Sequence, residues 1–376
     1  MSLNQAIPQN DHVAGSNDFC VQSCANANLG ANQNGDAGAK ADLKKIATRL
    51  SRHYPECGID LRRSLFQVTT TAIAFFAMLG IMSAVAGQMY WLTLLLAIPT
   101  AGLLVRLFIV QHDCGHGSYF KSKASNDRLG RLISVLTLTP YDHWRRSHAA
   151  HHATSGNLDR RGQGDVMTIT VEEYQELSPL SKLGYRLYRN PLVMILIGAP
   201  VNFIILQRIP MGRGARDRDS RNSILALNVA LLIVFGIPMA FFGVGKVLSI
   251  YLPVMTIAAW IGGWLFYVQH QFEGTTWSRN DDWDFHNASI IGSSYFELPT
   301  ILRWFTGSIG LHHIHHLCCR IPNYRLQAIQ DAFPELGVMA QRINMLESIK
   351  CWRLALWDES QSRLVSFRDL KRQAAG

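Results

Sequence analysis

Long apolar blocks with almost no charged residues alternate with polar stretches along this chain, and that pattern predicts membrane-spanning helices. Crossing a bilayer takes about 20 apolar residues in a helix. Blocks of at least this length cover residues 65–86, 89–111, 224–245 and 247–269. A shorter block at residues 191–206 contains Pro200 and Asn202. We therefore predict four transmembrane helices in two hairpins, with residues 191–206 forming an interfacial or re-entrant helix.

The polar segments complete the predicted organisation. Residues 1–40 are rich in Asn, Gln, Gly, Ala and Ser and lack the basic start and apolar core of a signal peptide. This composition predicts a disordered N-terminal tail. Residues 41–320 are then the membrane domain, and residues 321–376 are a polar C-terminal region.

The charged residues limit the class of binding partner and predict the orientation of the chain in the membrane. The 36 Lys and Arg against 27 Asp and Glu give a net charge of +9, which suits nucleic acid or an anionic membrane surface. The apolar blocks favour the membrane, so we predict no nucleic-acid partner. Basic residues crowd the polar segments, whereas the two predicted hairpin tips contribute only Lys246. By the positive-inside rule, the polar segments and both termini lie on the cytoplasmic side of an inner membrane.

Three histidine clusters in the polar segments keep helical spacing, in which residues i, i+3 and i+4 share a face. The clusters are His112 and His116; His148, His151 and His152; and His312, His315 and His316. Eight imidazoles from three helices could therefore converge, and eight ligands are too many for one ion. Neutral imidazole suits iron, copper, zinc and nickel. The spacing predicts a site for two metal ions.

Several side chains near the clusters are candidates for orienting metal-bound imidazoles through the outer ring nitrogen. The carboxylates in this position are Asp113, Asp142, Asp159, Asp165 and Glu273. Each is explained equally well as an ordinary loop or cap residue. His313 falls off the face that its cluster shares, and it is a further candidate for the outer role.

The clusters, in the order HDCGH, HAAHH and HHIHH, resemble those of the membrane fatty acid desaturase family. Longer runs around the second cluster, the last apolar block and the third cluster are similar to bacterial acyl-lipid desaturases. These runs are LTLTPYDHWRRSHAAHHATSGNLDRRGQGDV, FYVQHQFEGTTW and GSIGLHHIHHLCCRIPNYRL. The resemblance implies that the eight clustered histidines are iron ligands. It adds His270, just after the last apolar block, as a ninth ligand.

The resemblance also implies a reaction. Two Fe2+ ions and O2 would remove two hydrogens from adjacent carbons of a membrane-lipid acyl chain and leave a cis double bond. The fold expected is an all-α integral membrane protein, in which four transmembrane helices carry a cytoplasmic helical cap that holds the di-iron site. The chain has no nucleotide-binding glycine motif and no HPGG-like haem segment. Its electrons must therefore come from a separate donor, and bacterial relatives imply ferredoxin or flavodoxin with its reductase.

Two other functions fit parts of the pattern. A hydroxylase or ketolase of alkanes, acyl chains or carotenoids shares the scaffold and the clusters. A metal transporter or sensor would also gather histidines, but transport sites usually lie near the bilayer midplane on broken helices. Every cluster here falls outside the apolar blocks. The double-bond position, the acyl carrier and the oligomeric state are not encoded in these patterns.

Overall fold

The computed structural model describes residues 43–50, 52–53, 58–162, 164–212 and 216–373. The predicted tail at residues 1–40 lies outside the described residues. Within them, four helices are long and apolar enough to cross a membrane, as the sequence predicted. They are α1 (Leu61–Val85), α2 (Tyr90–His116), α8 (Arg218–Phe242) and α9 (Val244–His270).

These helices extend beyond the predicted blocks because their caps lie in the flanking polar sequence. The Asp60 side chain accepts hydrogen bonds from backbone N–H groups at the start of α1, and Asp217 does so for α8. Such bonds satisfy N–H groups that have no partner within the helix. Helix α2 continues to His116 and ends at Gly117, whose φ of 67° lies in the left-handed region that favours glycine. The first histidine cluster therefore belongs to the same helix as the second apolar block.

Helices α2 and α9 form the centre of the apolar bundle. α2 packs along both α1 and α9, and α8 also packs along α9. The outer helices leave large apolar side chains exposed, including Phe66 on α1 and Leu232 and Phe241 on α8. In water such a surface would be unfavourable, whereas in a bilayer it faces lipid. The exposed apolar surface of this bundle is consistent with a multi-pass membrane protein.

Shorter helices make up most of the polar segments. They are α3 (Lys123–Thr137), α4 (Tyr141–Thr154), α5 (Val171–Glu176), α6 (Pro179–Tyr188), α7 (Ala199–Ile204), α10 (Phe285–Ile290), α11 (Thr300–Phe305), α12 (His312–Leu317), α13 (Leu326–Ala332), α14 (Pro334–Met339), α15 (Met345–Cys351) and α16 (Phe367–Gln373). The start of α4 is fixed against the end of α2, because the Tyr141 hydroxyl donates to the Cys114 carbonyl at 2.8 Å. The Tyr141 ring covers Gly130 of α3, where a Cβ would lie 2.2 Å from a ring carbon. Glycine is thus required for α3 and α4 to approach so closely.

The predicted helix at residues 191–206 is irregular. Wide π-helical turns at Leu192–Gly198 lead into α7 and a final turn at Leu206–Arg208, and this run is bent by 63° from α6. It packs on α9, where the Trp260 indole N–H donates to the Leu196 carbonyl at 3.1 Å. This bend fits a broken membrane span as well as a re-entrant loop, so the interfacial or re-entrant position of the segment stays a prediction.

The fold is mostly helical, but it also contains short strands that the all-α prediction did not include. β1 (Ile169–Thr170) pairs in parallel with β4 (Leu354–Asp358), which pairs antiparallel with β5 (Arg363–Ser366). β2 (Tyr295–Phe296) pairs in parallel with β3 (Arg342–Ile343). Strands of two to five residues are too short for an alternating pattern to stand out in a polar tail. They attach the C-terminal region to segments that follow the second cluster and the last apolar helix.

Candidate metal centre

The structure brings all nine predicted ligands together at one end of the bundle. Their ring nitrogens form two groups, and within each group one nitrogen from every residue lies within 4.8 Å of the others. The five-histidine group is His112, His116, His148, His152 and His315. The four-histidine group is His151, His270, His312 and His316. Two groups of this size match the two-metal site that the sequence predicted.

Helix geometry explains how the clusters divide. Residues i and i+4 lie about 40° apart around a helix, whereas residues i+3 and i+4 lie about 100° apart. The i, i+4 pairs stay together, and they are His112 with His116, His148 with His152, and His312 with His316. The i+3 members, His151 and His315, each join the other group. Helices α4 and α12 thus contribute to both groups and fix their separation.

The ring nitrogens approach one another as ligands of a shared ion would. In the four-histidine group, Nε2 of His270 lies 3.1 Å from Nε2 of His151 and 2.9 Å from Nε2 of His312. In the five-histidine group, Nε2 of His152 lies 3.1 and 3.2 Å from two other Nε2 atoms. Nitrogens bound at about 2.1 Å to one ion, at right angles, would be about 3 Å apart. The spacing therefore fits metal coordination.

Unsatisfied buried nitrogens support the same assignment. Nε2 of His116 and Nε2 of His316 are buried and have no hydrogen-bond partner among the described residues. Leaving a buried polar atom unpaired is costly, so such atoms call for an explanation such as an ion. The chemistry of the donor set, nine imidazoles without a carboxylate in either group, suits a transition metal. The residues present thus fit two metal ions.

The protonation state of the ligands also favours a metal. Burial lowers the pKa of five ligands outside the apolar helices well below the usual histidine value, and neighbouring imidazoles lower it further. These five ligands are His148, His152, His312, His315 and His316. A charged imidazolium is disfavoured away from water and beside like charges. These five histidines are therefore held in the neutral form that binds metal.

Two of the five candidate carboxylates hold outer ring nitrogens. Asp165 contacts Nδ1 of His151, and Oδ1 of Asp113 lies 3.1 Å from Nδ1 of His112. The second oxygen of Asp113 accepts from the backbone and side-chain nitrogens of Asn323, at 2.7 and 2.8 Å. A carboxylate at the outer nitrogen fixes the ring orientation and makes the inner nitrogen a stronger donor to metal. Each group thus has one ligand with a carboxylate behind it.

The other three candidate carboxylates lie elsewhere. Asp142 accepts from Arg131 at 2.9 Å, and Asp159 accepts from Arg279 at 2.8 Å. Glu273 is exposed to solvent. None of the three hydrogen-bonds to a ligand imidazole within the part of the chain described, so their sequence positions near the clusters did not bring them to the metals.

His313 belongs to neither group. Its Nε2 lies 3.2 Å from the Gln330 side-chain oxygen, and its ring lies 5.5 Å from that of Tyr295. Burial lowers the pKa of His313 to about 4. Its absence from both groups agrees with the prediction that it falls off the face that its cluster shares. The outer nitrogen of His270, for which the sequence suggested no partner, lies 3.1 Å from the carbonyl oxygen of Gly292.

Two aromatic residues beside the ligands were missed by the sequence reasoning. The Trp144 ring stacks on His148 with 4.5 Å between centroids, and Phe266 lies 5.3 Å from His151 and 5.8 Å from His270. Trp144 precedes His148 by four residues, and Phe266 precedes His270 by four. That spacing, which places each aromatic on the ligand's helix face, is the signal that could have found them.

Known proteins resemble the chain along most of its length. Residues 59–342 match the model of a family described as fatty acid desaturase. The chain is 41% identical over 312 residues to a Bacillus subtilis protein named fatty acid desaturase, covering 83% of this chain and 88% of that protein.

Two more distant relatives have names that state a lipid substrate. One from Synechocystis, named sn-1 acyl-lipid omega-3 desaturase (ferredoxin), is 30% identical over 247 residues, covering 61% of this chain and 64% of its own. Another from Picosynechococcus, named sn-1 oleoyl-lipid 12-desaturase, is 24% identical over 302 residues, covering 76% and 84%. Because the family match includes the four apolar helices and every histidine of both groups, the chain belongs to the fatty acid desaturase family.

Proposed function

We propose that this fatty acid desaturase acts on acyl chains of membrane lipids and binds two Fe2+ ions, one in each histidine group. The observation that carries the proposal is the arrangement of nine buried or half-buried imidazoles in two groups, in each of which the ring nitrogens lie within 4.8 Å of one another. Iron suits an all-imidazole site, and oxygen chemistry on unactivated carbon needs such a metal. The names of the Synechocystis and Picosynechococcus relatives support a lipid-bound acyl substrate.

The reaction uses O2 as co-substrate. The two hydrogens removed from adjacent carbons carry two electrons and two protons. With two electrons from an external donor and two protons from solvent, they reduce O2 to two waters, and the acyl chain gains a cis double bond. When bound, the iron pair supplies the oxidising power for C–H cleavage. The chain's own part is to hold the ligands through Asp113 and Asp165, and to line the groups with Trp144 and Phe266, whose rings exclude water. No side chain is needed as a general base.

The acyl chain approaches from the five-histidine side. His116 and His148 are half-buried, whereas all four members of the other group are buried. Beside them, Trp144 contacts Phe108 at 5.4 Å between ring centroids, and Phe108 contacts Phe203 of α7 at 6.2 Å. These half-buried rings form an apolar wall between the bilayer-facing helices and the metals. An acyl chain lying along these rings would reach the five-histidine group.

The membrane arrangement follows from where the ligands lie on the apolar helices. His116 ends α2 and His270 ends α9, so both lie at the ends opposite the short links at residues 86–89 and Gly243. Two hairpins then carry the metal groups and the shorter helices, as a cap, on one side. Lys and Arg are concentrated in those polar segments, and Lys246, in the first turn of α9, is the only one beside the two links. By the positive-inside rule the cap and both termini are cytoplasmic, in an inner membrane.

The electron donor is ferredoxin, or flavodoxin, together with its reductase. Relatives from Synechocystis and Nostoc carry ferredoxin in their names, and this chain has a net charge of +9 that suits an acidic partner. We expect the rate of desaturation supported by purified ferredoxin and its reductase to fall about 10-fold as NaCl rises from about 50 to about 500 mM. The same titration with dithionite as a direct reductant is the control. A rate with ferredoxin that does not depend on salt would contradict docking through charge.

Expression in a desaturase-deficient bacterium tests the function itself. Gas chromatography–mass spectrometry of the fatty acids is expected to show a new unsaturated species, and its fragmentation gives the bond position. Separating the lipid classes before hydrolysis tells whether the new bond is formed on phospholipid. Hydroxylated or keto products in place of a double bond would overturn the proposal and favour the hydroxylase or ketolase alternative. Uptake of metal into vesicles without oxygen consumption would favour a transporter.

A further inference from the structure

Arg189, just after α6, is a buried cation that the proposed chemistry does not use. It is 2% exposed. Its guanidinium donates to the carbonyls of Met167 and Leu354 at 3.1 and 2.8 Å, to the Thr168 hydroxyl at 3.3 Å and to the Gln271 side-chain oxygen at 2.7 Å. None of its partners in the described structure is a carboxylate. A buried charge without a counter-ion is expensive, so these contacts need a reason beyond stability.

The partners of Arg189 adjoin two ligands of the four-histidine group. Gln271 directly follows His270, and its amide also donates to Thr168 Oγ1 at 3.2 Å. Met167 and Thr168 come two and three residues after Asp165, the carboxylate that contacts Nδ1 of His151. One guanidinium therefore joins the segment behind His151 to the segment that continues from His270, and Nε2 atoms of these two histidines lie 3.1 Å apart.

We infer that Arg189 is a positioning residue that holds His151 and His270 in register as ligands of one ion. The inference rests on the two-metal centre proposed above. The planar guanidinium presents several donors in a fixed fork, so it can bond three segments of chain at once. Those segments are the loop after the second cluster, the end of α9 and strand β4. A lysine would keep the charge but could not span the same acceptors.

The matched control is Arg186, three residues earlier on α6. Its Nε donates to the Tyr174 hydroxyl at 2.6 Å, and its guanidinium lies 5.3 Å from the Phe367 ring. Neither contact reaches Gln271 or the segment after Asp165. The same change, arginine to lysine, can therefore be made at both positions, and only one of them lies behind the four-histidine group.

The experiment uses the full chain in lipid nanodiscs, reconstituted with 57Fe2+. Iron content and Mössbauer spectra are measured for the unaltered protein, Arg189→Lys, Arg186→Lys and Gln271→Leu. We expect Arg189→Lys and Gln271→Leu to weaken iron binding about 10-fold or more in the four-histidine group, as loss of outer-sphere support does. One of the two iron signals should fade while the other persists, and Arg186→Lys should keep both. The double variant Arg189→Lys, Gln271→Leu should bind iron little more weakly than either single variant, since both substitutions remove the same link.

The outcomes separate the inference from the proposed function. Fewer than two irons in the unaltered protein would mean that the two-metal proposal fails. Two irons with unchanged spectra in both Arg189→Lys and Gln271→Leu would overturn the inference. Equal loss of both irons in these variants would also overturn it, because that pattern indicates a general structural role for Arg189. Selective loss of one signal, with a normally folded protein by size-exclusion chromatography, would support it.

Discussion

His151→Ala and His152→Ala are each expected to lower the yield of the unsaturated fatty acid more than about 100-fold, beyond the loss typical of an outer-sphere change. These neighbours on α4 belong to different groups, His151 to the four-histidine group and His152 to the five-histidine group. Removal of either imidazole would leave one of the two proposed ions without one of its ligands. The proposed reaction uses both ions, so we expect either loss to stop it. Fatty acids are measured by gas chromatography–mass spectrometry in a desaturase-deficient host.

The adjacent substitutions should differ in which ion is lost. Mössbauer spectra of the 57Fe-loaded proteins should lack one signal in His151→Ala and the other in His152→Ala. His143→Ala is the control, because His143 lies on the same helix and belongs to neither group. A control variant as inactive as the other two would show that α4 tolerates no change. Loss of the same signal in both ligand variants would contradict the division into two groups.

The sequence predicted that the clustered histidines would gather because their spacing is a local property. Residues four apart lie on one face of any helix, so His112 and His116 could be paired before the fold was known. Local spacing does not determine which of the two groups each histidine joins. All three histidines of the second cluster were expected on a common face, yet His151 joins His270 and His312 instead of His148. The 100° between successive residues decides this once other helices supply ligands on both sides.

The contacts to the outer ring nitrogens of the histidines were predictable only in part, since distance along the sequence does not determine distance in space. Asp113 adjoins a ligand on the same helix and indeed approaches His112. Asp165 reaches His151 only because its loop folds back over α4, and Glu273, nearer in sequence to His270, is exposed instead. Arg189 gave no signal at all, because its hydrogen-bond partners lie 21 to 165 residues away in the chain.

The apolar blocks predicted the helices of the bundle for a physical reason that does not apply to the C-terminal region. A spanning helix must satisfy its own backbone and face lipid, so its composition alone identifies it. Strand β4 is satisfied by β1 and β5, and its register depends on residues about 190 positions away, such as Ile169 opposite Leu356. Pairing of that kind leaves little trace in a short polar segment. The strands therefore appeared only in the structure.

Asp165→Asn is expected to weaken metal binding in the four-histidine group about 10- to 100-fold. The Asp165 side chain is 6% exposed, and its contact with Nδ1 of His151 is the only support that the described structure gives that nitrogen. Asparagine keeps the shape but removes the negative charge that makes the imidazole a stronger ligand. Iron content after dialysis against a graded series of chelator concentrations measures the change, and desaturation should fall in parallel at limiting iron.

Two matched variants make the result specific. Asp159→Asn alters the same loop, but Asp159 pairs with Arg279 and contacts no ligand, so both irons should be kept. Asp113→Asn removes the carboxylate behind His112, so the five-histidine group should lose its iron first. Equal iron retention in Asp165→Asn and Asp159→Asn would contradict a role for Asp165 at His151. Opposite selectivity in Asp165→Asn and Asp113→Asn would instead show that each ion depends on its own carboxylate, which ordinary destabilisation of the fold cannot produce.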